Sequence, residues 1–177
     1  MKLYITAFIA IAVSAILISK FMEPSGKIKV GSRVPDFSLF DQNGNLFQLA
    51  AHLGKQNLVI YFYPKDDTPG CTKEACTFRD MYEDFTDVGA EVIGISSDSR
   101  KSHSEFATKH KLPFSLLSDE DKAVRKRFGV PTNMLGILPG RVTYIVDKQG
   151  IVKFIFNSQT QAERHAQESI RFLKSLK

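Results

Sequence analysis

The chain has 177 residues, of which 43% are apolar and 24% are charged, with 11 Gly, 7 Pro and 2 Cys. This profile fits one globular domain with a short appendage, and it excludes collagen, low-complexity disorder and a small scaffold held together by disulfides. The 24 basic and 19 acidic residues give a net charge of +5. Because the basic residues are scattered and form no stripe with interleaved aromatic residues, the sequence predicts no nucleic-acid partner.

The chain begins with an uncharged apolar segment, residues 3–19, between Lys2 and Lys20. As a helix this segment would reach roughly 25 Å, at the short end of what spans a bilayer core. Val13-Ser14-Ala15 could serve as a signal-cleavage site, but three aliphatic residues would then remain at the new N-terminus. We therefore predict that residues 1–22 form a hydrophobic helix that anchors the protein in a membrane, with export after signal cleavage as the alternative. The flanking charges favour a cytoplasmic side for the rest of the chain.

Residues 23–33 are polar, contain Pro24, Gly26 and Gly31, and are predicted to be a linker. A globular domain is predicted over residues 34–177. Strands that alternate with helices and end in a hairpin predict an α/β fold, a mixed β-sheet with helices on both faces in three layers. The predicted elements are a hairpin of 37–40 and 46–49, a buried strand 58–63, a helix 68–88, a strand 91–96, a helix 102–110, a strand 114–117, a helix 122–128, a hairpin of 141–147 and 151–157, and an amphipathic helix 161–176.

The first cysteine follows the buried strand 58–63 at the start of the next predicted helix. Ligands bind at such strand ends in open α/β sheets. Thr68 and Pro69 fit the N-cap and the first position of that helix, which places Cys71 in the first turn. Unpaired N–H groups and the helix dipole stabilise an anion there. We therefore predict that Cys71 is an ionised and accessible thiol, against the alternative that both cysteines are buried and inert.

The spacing of Cys71 and Cys76 excludes the common dithiol and zinc motifs. A CxxC motif is absent, and two cysteines alone cannot complete a tetrahedral metal site, so neither a metal nor a cofactor is predicted. On an ideal helix their Cα atoms are about 8.7 Å apart, beyond the roughly 7 Å that a disulfide allows. If the two cysteines pair, the first turn of the helix must unwind, and oxidation would then be a conformational switch.

The stretch YPKDDTPGCTKEAC, residues 63–76, resembles the peroxiredoxin active-site motif Pro-x-x-x-Thr-x-x-Cys, with Pro64, Thr68 and Cys71 at the motif positions. The second cysteine five residues later resembles the peroxiredoxin Q or bacterioferritin comigratory protein group of the AhpC/TSA family. The segments VPDFSLF, EVIGISSDS and LPGRVTYIVDKQGIVKFIFNSQ resemble the same family. The resemblance therefore extends over the whole domain after the linker.

This resemblance implies a thioredoxin-like fold and an antioxidant enzyme that reduces hydrogen peroxide and organic hydroperoxides to water and alcohols with thiols. It implies that Cys71 is the peroxidatic residue, which becomes a sulfenic acid, and that Cys76 is the resolving residue, which closes an intramolecular disulfide. Thioredoxin or glutaredoxin would then reduce that disulfide. A resolving cysteine within the chain, as in this group, indicates a monomer.

Four further residues complete the predicted site. By the same resemblance Thr68 directs its hydroxyl to the Cys71 sulfur or to the peroxide, in place of a role limited to the helix cap, and Pro64 shields the thiolate. Arg141, at the start of a strand, would stabilise the thiolate and polarise the O–O bond, or else lie on the surface. Glu74, one turn after Cys71, would orient that arginine or act only as an early-helix carboxylate.

The remaining polar residues indicate no second site. The four histidines, at positions 52, 103, 110 and 165, have no paired spacing and are predicted to be surface or cap residues, and Asp66 and Asp67 to be turn residues. Two alternative functions keep the fold. A membrane-tethered thiol–disulfide oxidoreductase needs the absent CxxC motif, and a copper chaperone needs a distant histidine, for which His165 is the candidate. A tethered binding module with incidental cysteines is the third alternative.

Overall fold

A computed structural model describes residues 27–133 and 138–176. The strands and helices of this part of the chain alternate much as predicted. In chain order they are β1 Ser38–Asp41, β2 Leu46–Gln48, α1 Leu49–His52, β3 Asn57–Phe62, α2 Pro69–Asp80, α3 Tyr82–Asp87, β4 Ala90–Ser96, α4 Arg100–His110, β5 Ser115–Ser118, α5 Ala123–Arg127, β6 Thr132–Asn133, β7 Leu138–Pro139, β8 Val142–Val146, β9 Val152–Asn157 and α6 Ala162–Lys174.

Seven of these strands form one mixed sheet in the order β2-β1-β5-β4-β3-β8-β9. Strand β4 pairs in parallel with β3 and β5, whereas β8 pairs antiparallel with both β3 and β9. The two central strands β3 and β4 are almost entirely buried, as their unbroken apolar sequences predict. The predicted mixed sheet is therefore confirmed.

Alternate residues of β3 point into two separate cores, because side chains of a strand alternate between its faces. Ile60 and Phe62 pack in the core that includes Leu49 of α1 and Val124 of α5. Tyr61 lies on the other face, in the core formed with α2, α3, α4 and α6. Helices thus cover both faces of the sheet, as predicted.

Two local predictions differ from the structure, and one small element was not predicted. The helix predicted over 68–88 is two helices, α2 and α3, which meet at Met81, where the backbone leaves helical geometry at φ −104° and ψ 11°. The strand predicted to reach Leu49 ends at Gln48, and Leu49 begins the single turn α1, where it is buried. The short pair β6 and β7 was not predicted, because two-residue strands carry no readable periodicity.

Residues 27–33, which the sequence assigned to a linker, contact the edge of the domain. Ile28 is buried in the core that faces α5. The amide of Gly31 donates to the Val152 carbonyl at 2.8 Å, and the Val152 amide donates to the Ser32 carbonyl at 2.9 Å. The domain bounds stay a prediction, and the predicted N-terminal helix lies outside the described residues.

Candidate active site

The topology of the sheet brings Arg141 to the start of α2. The chain leaves β3 at Phe62 and enters α2 at Pro69, so Cys71 lies near the carboxyl end of β3. Strand β8 runs antiparallel to β3, with Val142 opposite Phe62. The residue that precedes Val142 is therefore at the same edge of the sheet as Cys71, although the two are 70 positions apart.

The Cys71 thiol lies in a buried, positively charged environment. Nη2 of Arg141 donates a hydrogen bond to Sγ of Cys71 at 3.3 Å, and the two residues are 3% and 1% exposed. A guanidinium at this distance, shielded from water, can stabilise negative charge on the sulfur during a reaction. Arg141 and Cys71 are therefore close together, as predicted. The accessible thiol that we expected is absent, because Cys71 is buried in this structure.

Glu74 holds the other side of the Arg141 guanidinium. Its Oε2 accepts a hydrogen bond from Nη1 of Arg141, and its Oε1 lies 3.5 Å from Nδ1 of His165. Burial raises the pKa of Glu74 to about 8, against the opposing effect of Arg141. Because Nη1 is engaged by the carboxyl group, the guanidinium is oriented with Nη2 toward the Cys71 sulfur.

His165 is fully buried, so the prediction of a surface or cap residue is wrong. Its Nδ1 lies 2.8 Å from the Thr143 hydroxyl, and its Nε2 lies 2.9 Å from the Ser158 carbonyl. Burial lowers the pKa of His165 to about 4. Both ring nitrogens are engaged within the fold, which leaves the copper-chaperone interpretation without its histidine. Over residues 27–133 and 138–176, no group of three His, Cys, Asp or Glu side chains is arranged to hold a metal ion.

Thr68 and Pro64 border the loop between β3 and α2. The Thr68 hydroxyl donates to the Lys65 carbonyl at 3.0 Å, so it neither caps α2 nor donates to the Cys71 sulfur. Pro69 occupies the first turn of α2, as predicted, and Pro64 is half-buried at the end of β3. The roles that the resemblance gives to Thr68 and Pro64 stay predictions.

A second arginine, Arg125 of α5, lies beside the site and was not predicted. It is 5% exposed. Its Nη2 donates to the Tyr63 carbonyl at 2.5 Å, and its Nη1 donates to the Gly140 carbonyl at 3.2 Å. It therefore joins the end of β3 to the residue before Arg141. Its charge also interacts with Cys71.

Asp66 lies in a turn, as predicted, and is also the centre of a buried polar network. Its carboxylate accepts hydrogen bonds from the Tyr63 and Ser102 hydroxyls, both at 2.7 Å, and lies 2.8 Å from Nδ1 of His103. His103 is fully buried, which contradicts its prediction as a surface residue, and its Nε2 lies 3.2 Å from the Leu117 carbonyl. The network fixes the loop before Cys71 to α4 and β5.

Cys76 lies five residues after Cys71 on α2 and is half-buried. Both cysteines are free, so the structure is that of the dithiol form. Sγ of Cys76 lies 3.9 Å from Nδ1 of His110, the last residue of α4. The second thiol therefore faces α4, whereas the first faces Arg141.

Comparison with known proteins identifies relatives over nearly the whole described chain. Residues 30–155 match the model of the AhpC/TSA family. Peroxiredoxin Q, chloroplastic, of Oryza sativa subsp. japonica is 54% identical over 151 residues, which are 85% of this chain and 69% of that protein. The crystal structure of peroxidoxin BcpB from Mycobacterium tuberculosis has a TM-score of 0.79 at 36% identity and covers 85% of this chain and 99% of its own.

A structure of the bacterioferritin comigratory protein of Xanthomonas campestris, described for its alkyl peroxide reduction activity, has a TM-score of 0.72 at 35% identity. It covers 79% of this chain and 91% of its own. These matches confirm the thioredoxin-like fold that the resemblance implies.

The localisation predicted from the N-terminal segment is wrong. Plant relatives that are 54% identical are named as chloroplast proteins. No helix in the described ranges, 27–133 and 138–176, is both long and apolar enough to cross a bilayer. The apolar segment itself lies outside those ranges.

Proposed function

The chain belongs to the AhpC/TSA family, within its peroxiredoxin Q group, and is a thiol-dependent peroxidase. From this premise we propose that Cys71 is the residue that attacks the peroxide. One observation carries the proposal: the hydrogen bond of 3.3 Å from Arg141 to the Cys71 sulfur at the start of α2. Cys71 is buried beside this guanidinium at the start of α2, whereas Cys76 is half-buried further along the helix and interacts with Arg79. A thiolate is the nucleophilic form of cysteine, and a cation at hydrogen-bonding distance favours it.

In the proposed first step the Cys71 thiolate attacks the terminal oxygen of the hydroperoxide. An S–O bond forms, the O–O bond breaks, and the other oxygen leaves as water or alcohol after it takes up a proton. The sulfur is oxidised to a sulfenic acid while the peroxide is reduced. Arg141 stabilises the thiolate and the charge on the departing oxygen. Glu74 acts as a positioning residue, since its carboxyl group binds the opposite side of the same guanidinium.

In the proposed second step Cys76 resolves the sulfenic acid as an intramolecular disulfide. Five residues on an ideal helix separate the two Cα atoms by about 8.7 Å, so the first turns of α2 must unwind before the sulfurs can bond. The half-buried position of Cys76 supports such a movement. Resolution within the chain needs no second subunit, and a monomer is the form that we propose.

The family implies a peroxide as substrate and a thiol as reductant. For this chain we propose both hydrogen peroxide and organic hydroperoxides, and the alkyl peroxide activity named for the Xanthomonas campestris relative supports the second class. Thioredoxin is the proposed reductant, with glutaredoxin as the alternative, because a dithiol can attack a disulfide on the enzyme surface and leave both thiols free.

Thr68 and Pro64 complete the proposed site. Thr68 precedes α2 and donates its hydroxyl to the Lys65 carbonyl, so a change of its side-chain rotamer is needed before it can bind the incoming peroxide. Pro64 follows β3 and is half-buried, which supports a role in keeping water from the thiolate.

The test is a coupled assay that follows NADPH consumption with thioredoxin reductase, thioredoxin and hydrogen peroxide. We expect turnover by the wild type, none by Cys71→Ser, and for Cys76→Ser a single reaction with peroxide without thioredoxin-dependent turnover. A parallel assay with glutaredoxin and glutathione separates the two reductants. Normal turnover by Cys71→Ser would contradict the proposal.

A further inference from the structure

The second thiol is the end of a row of three side chains, Asp67, His110 and Cys76. Nδ1 of His110 lies 3.9 Å from Sγ of Cys76, and Nε2 of the same ring lies 3.5 Å from Oδ1 of Asp67. The three residues come from three separate segments: the loop before α2, the end of α4 and the second turn of α2. A cysteine, a histidine and a carboxylate in this order is the arrangement in which a histidine takes a proton from a thiol.

Asp67 is the charged group beside the far nitrogen of the imidazole, Nε2, which is buried and makes no hydrogen bond of its own. A carboxylate beside Nε2 favours the tautomer in which Nε2 carries the proton, and Nδ1 is then an acceptor directed at the Cys76 S–H group. Hydrogen bonding to Lys109 is the largest effect that lowers the pKa of Asp67, so this carboxylate stays charged. The edge of the imidazole also contacts the Phe106 ring at 4.9 Å between centroids, which restricts its rotation.

Three charged side chains surround His110, and they come from the loop before α2, from α4 itself and from α2. Asp67 lies on the loop before α2, and Lys109 on α4 itself pairs with that carboxylate at 2.7 Å. Arg79 of α2 donates to the His110 carbonyl at 2.8 Å, and it also interacts with Cys76. The hydrogen bond from Arg79 to the His110 carbonyl joins the end of α4 to α2, whereas the interaction of Arg79 with Cys76 lies within α2.

We propose that His110 is the general base that deprotonates Cys76 for the resolving reaction. This inference rests on the proposed role of Cys76 as the resolving thiol. His110 is then a catalytic residue, since it contacts one of the two reacting sulfurs, and Asp67 is a positioning residue that acts through it.

The reaction balances without any further reactant. His110 accepts the proton of the Cys76 thiol, and the resulting thiolate attacks the sulfur of the Cys71 sulfenic acid. An S–S bond forms, the S–O bond breaks, and the departing hydroxide takes the proton from the imidazolium to give water. The Cys76 sulfur is oxidised and the Cys71 sulfur is reduced, so the products are one disulfide, one water and neutral His110.

The base lies outside the segment that must open. His110 is on α4, whereas the turns that unwind belong to α2. Proton transfer can thus occur while α2 is intact, and the thiolate then leaves toward Cys71. If the contact between His110 and Cys76 served only to brace α2 against α4, its loss would loosen α2 and accelerate disulfide formation. The two roles therefore predict opposite effects.

The first experiment measures the reactivity of Cys76 without peroxide. In full-length Cys71→Ser, Cys76 is the only thiol of the chain, and its alkylation by iodoacetamide is followed from pH 5.5 to 9.5. A free thiol is only a few per cent ionised at pH 7, so we expect His110→Gln to slow alkylation by about tenfold at that pH and to shift the profile to higher pH. The matched control is His52→Gln, because His52 pairs with Glu91 instead.

Asp67→Asn is the second variant, and its backbone angle of φ 55° is one that asparagine accepts. We expect it to slow alkylation less than His110→Gln. Alkylation that is equally fast in His110→Gln and the wild-type background would overturn the inference. Because no peroxide is present, this result is independent of whether Cys71 reacts with peroxide.

The second experiment measures resolution itself, in the chain with both cysteines. After one equivalent of hydrogen peroxide, dimedone competes with Cys76 for the sulfenic acid. We expect His110→Gln to give more dimedone adduct on Cys71 and less disulfide than the wild type. Faster disulfide formation in His110→Gln would overturn the inference in favour of a brace. Failure of the wild type to form any sulfenic acid would instead contradict the proposed function.

Discussion

Replacing Arg141 with Met tests whether the guanidinium makes the Cys71 sulfur reactive. The arginine side chain is 4% exposed and contacts both Glu74 and the sulfur, the latter at 3.3 Å. Methionine keeps much of the apolar length but carries no charge. A hydrogen bond to a charged group contributes about 1.5–3 kcal/mol, and each 1.4 kcal/mol is about tenfold in rate. We therefore expect the second-order rate constant with hydrogen peroxide to fall roughly 10- to 150-fold.

The same substitution affects stability through Glu74, which would be left buried without its cation. Removing one partner of a buried ion pair costs about 3–5 kcal/mol, and less where the carboxyl group stays protonated, as its raised pKa of about 8 indicates for neutral pH. The double variant Arg141→Met/Glu74→Gln has no buried charge at this place. We expect the double variant to be at least as stable as Arg141→Met, and more stable at a pH above 8 where Glu74 ionises, while its reaction with peroxide stays slow. This contrast separates reactivity from folding.

The chain has no tryptophan, so the reaction is measured by competition with a haem peroxidase for limiting hydrogen peroxide, and stability by urea unfolding followed with circular dichroism. Arg141→Lys is the matched control, because it keeps the charge but not the two-sided contact. A double variant that folds stably and reduces peroxide as fast as the wild type would refute the reasoning.

Three more substitutions test the geometry around the site. In Gly70→Ala the new Cβ would lie 3.2 Å from Nη2 of Arg141, so we expect a several-fold slower reaction with peroxide and no loss of stability in urea, since Ala favours helix. In the wild type His165 stays neutral down to about pH 4, whereas in the unfolded chain it titrates near 6.5. The unfolded state therefore binds more protons, and stability falls by about 3 kcal/mol as the pH drops through this window. Urea unfolding at pH 7 and pH 4 should show this loss to be smaller in His165→Gln. In Gly140→Ala the Cβ would lie 2.1 Å from the Pro131 carbonyl oxygen, so we expect a lower Tm by differential scanning calorimetry.

Each of these results can also count against the structure. Unchanged kinetics of Gly70→Ala would show that the guanidinium does not need its observed position. Equal acid sensitivity of His165→Gln and the wild type would show that another group causes it. A Gly140→Ala variant with the wild-type Tm would mean that the backbone near Pro131 is not as close as described.

The parts of the fold predicted correctly from the sequence are those with local signals. The apolar runs of β3 and β4 identified strands that are buried on both faces. Pro69 after Thr68 indicated a helix start, and Cys71 does lie in the first turn of α2. The proximity of Cys71 and Arg141 was also predicted. Cys71 comes after the end of β3, and Arg141 comes just before the start of β8, at the same edge of the sheet.

The buried polar residues were missed because their partners are far away in the sequence. His103 meets Asp66 across 37 positions, and His165 meets Thr143 across 22. A single histidine on a helix carries no local mark of such a partner, so a surface position was the simpler prediction. Arg125 was hidden for a different reason, since it lies in a run of charged residues that is typical of a solvated helix.

The location of the protein was predicted wrongly from the hydropathy of its N-terminal segment. Hydropathy identifies residues 3–19 as an apolar segment, but hydropathy describes a segment and not the destination of the protein. The membrane location that we derived from it conflicts with the names of the plant relatives.

The most direct test is to identify which sulfur is oxidised in one reaction with peroxide. Cys76→Ser is treated with one equivalent of hydrogen peroxide and then with dimedone, and the digested protein is analysed by mass spectrometry. We predict a dimedone adduct on Cys71 and none in Cys71→Ser treated in the same way. Unmodified Cys71 in a sample that has consumed its peroxide would contradict the claim that this sulfur performs the chemistry.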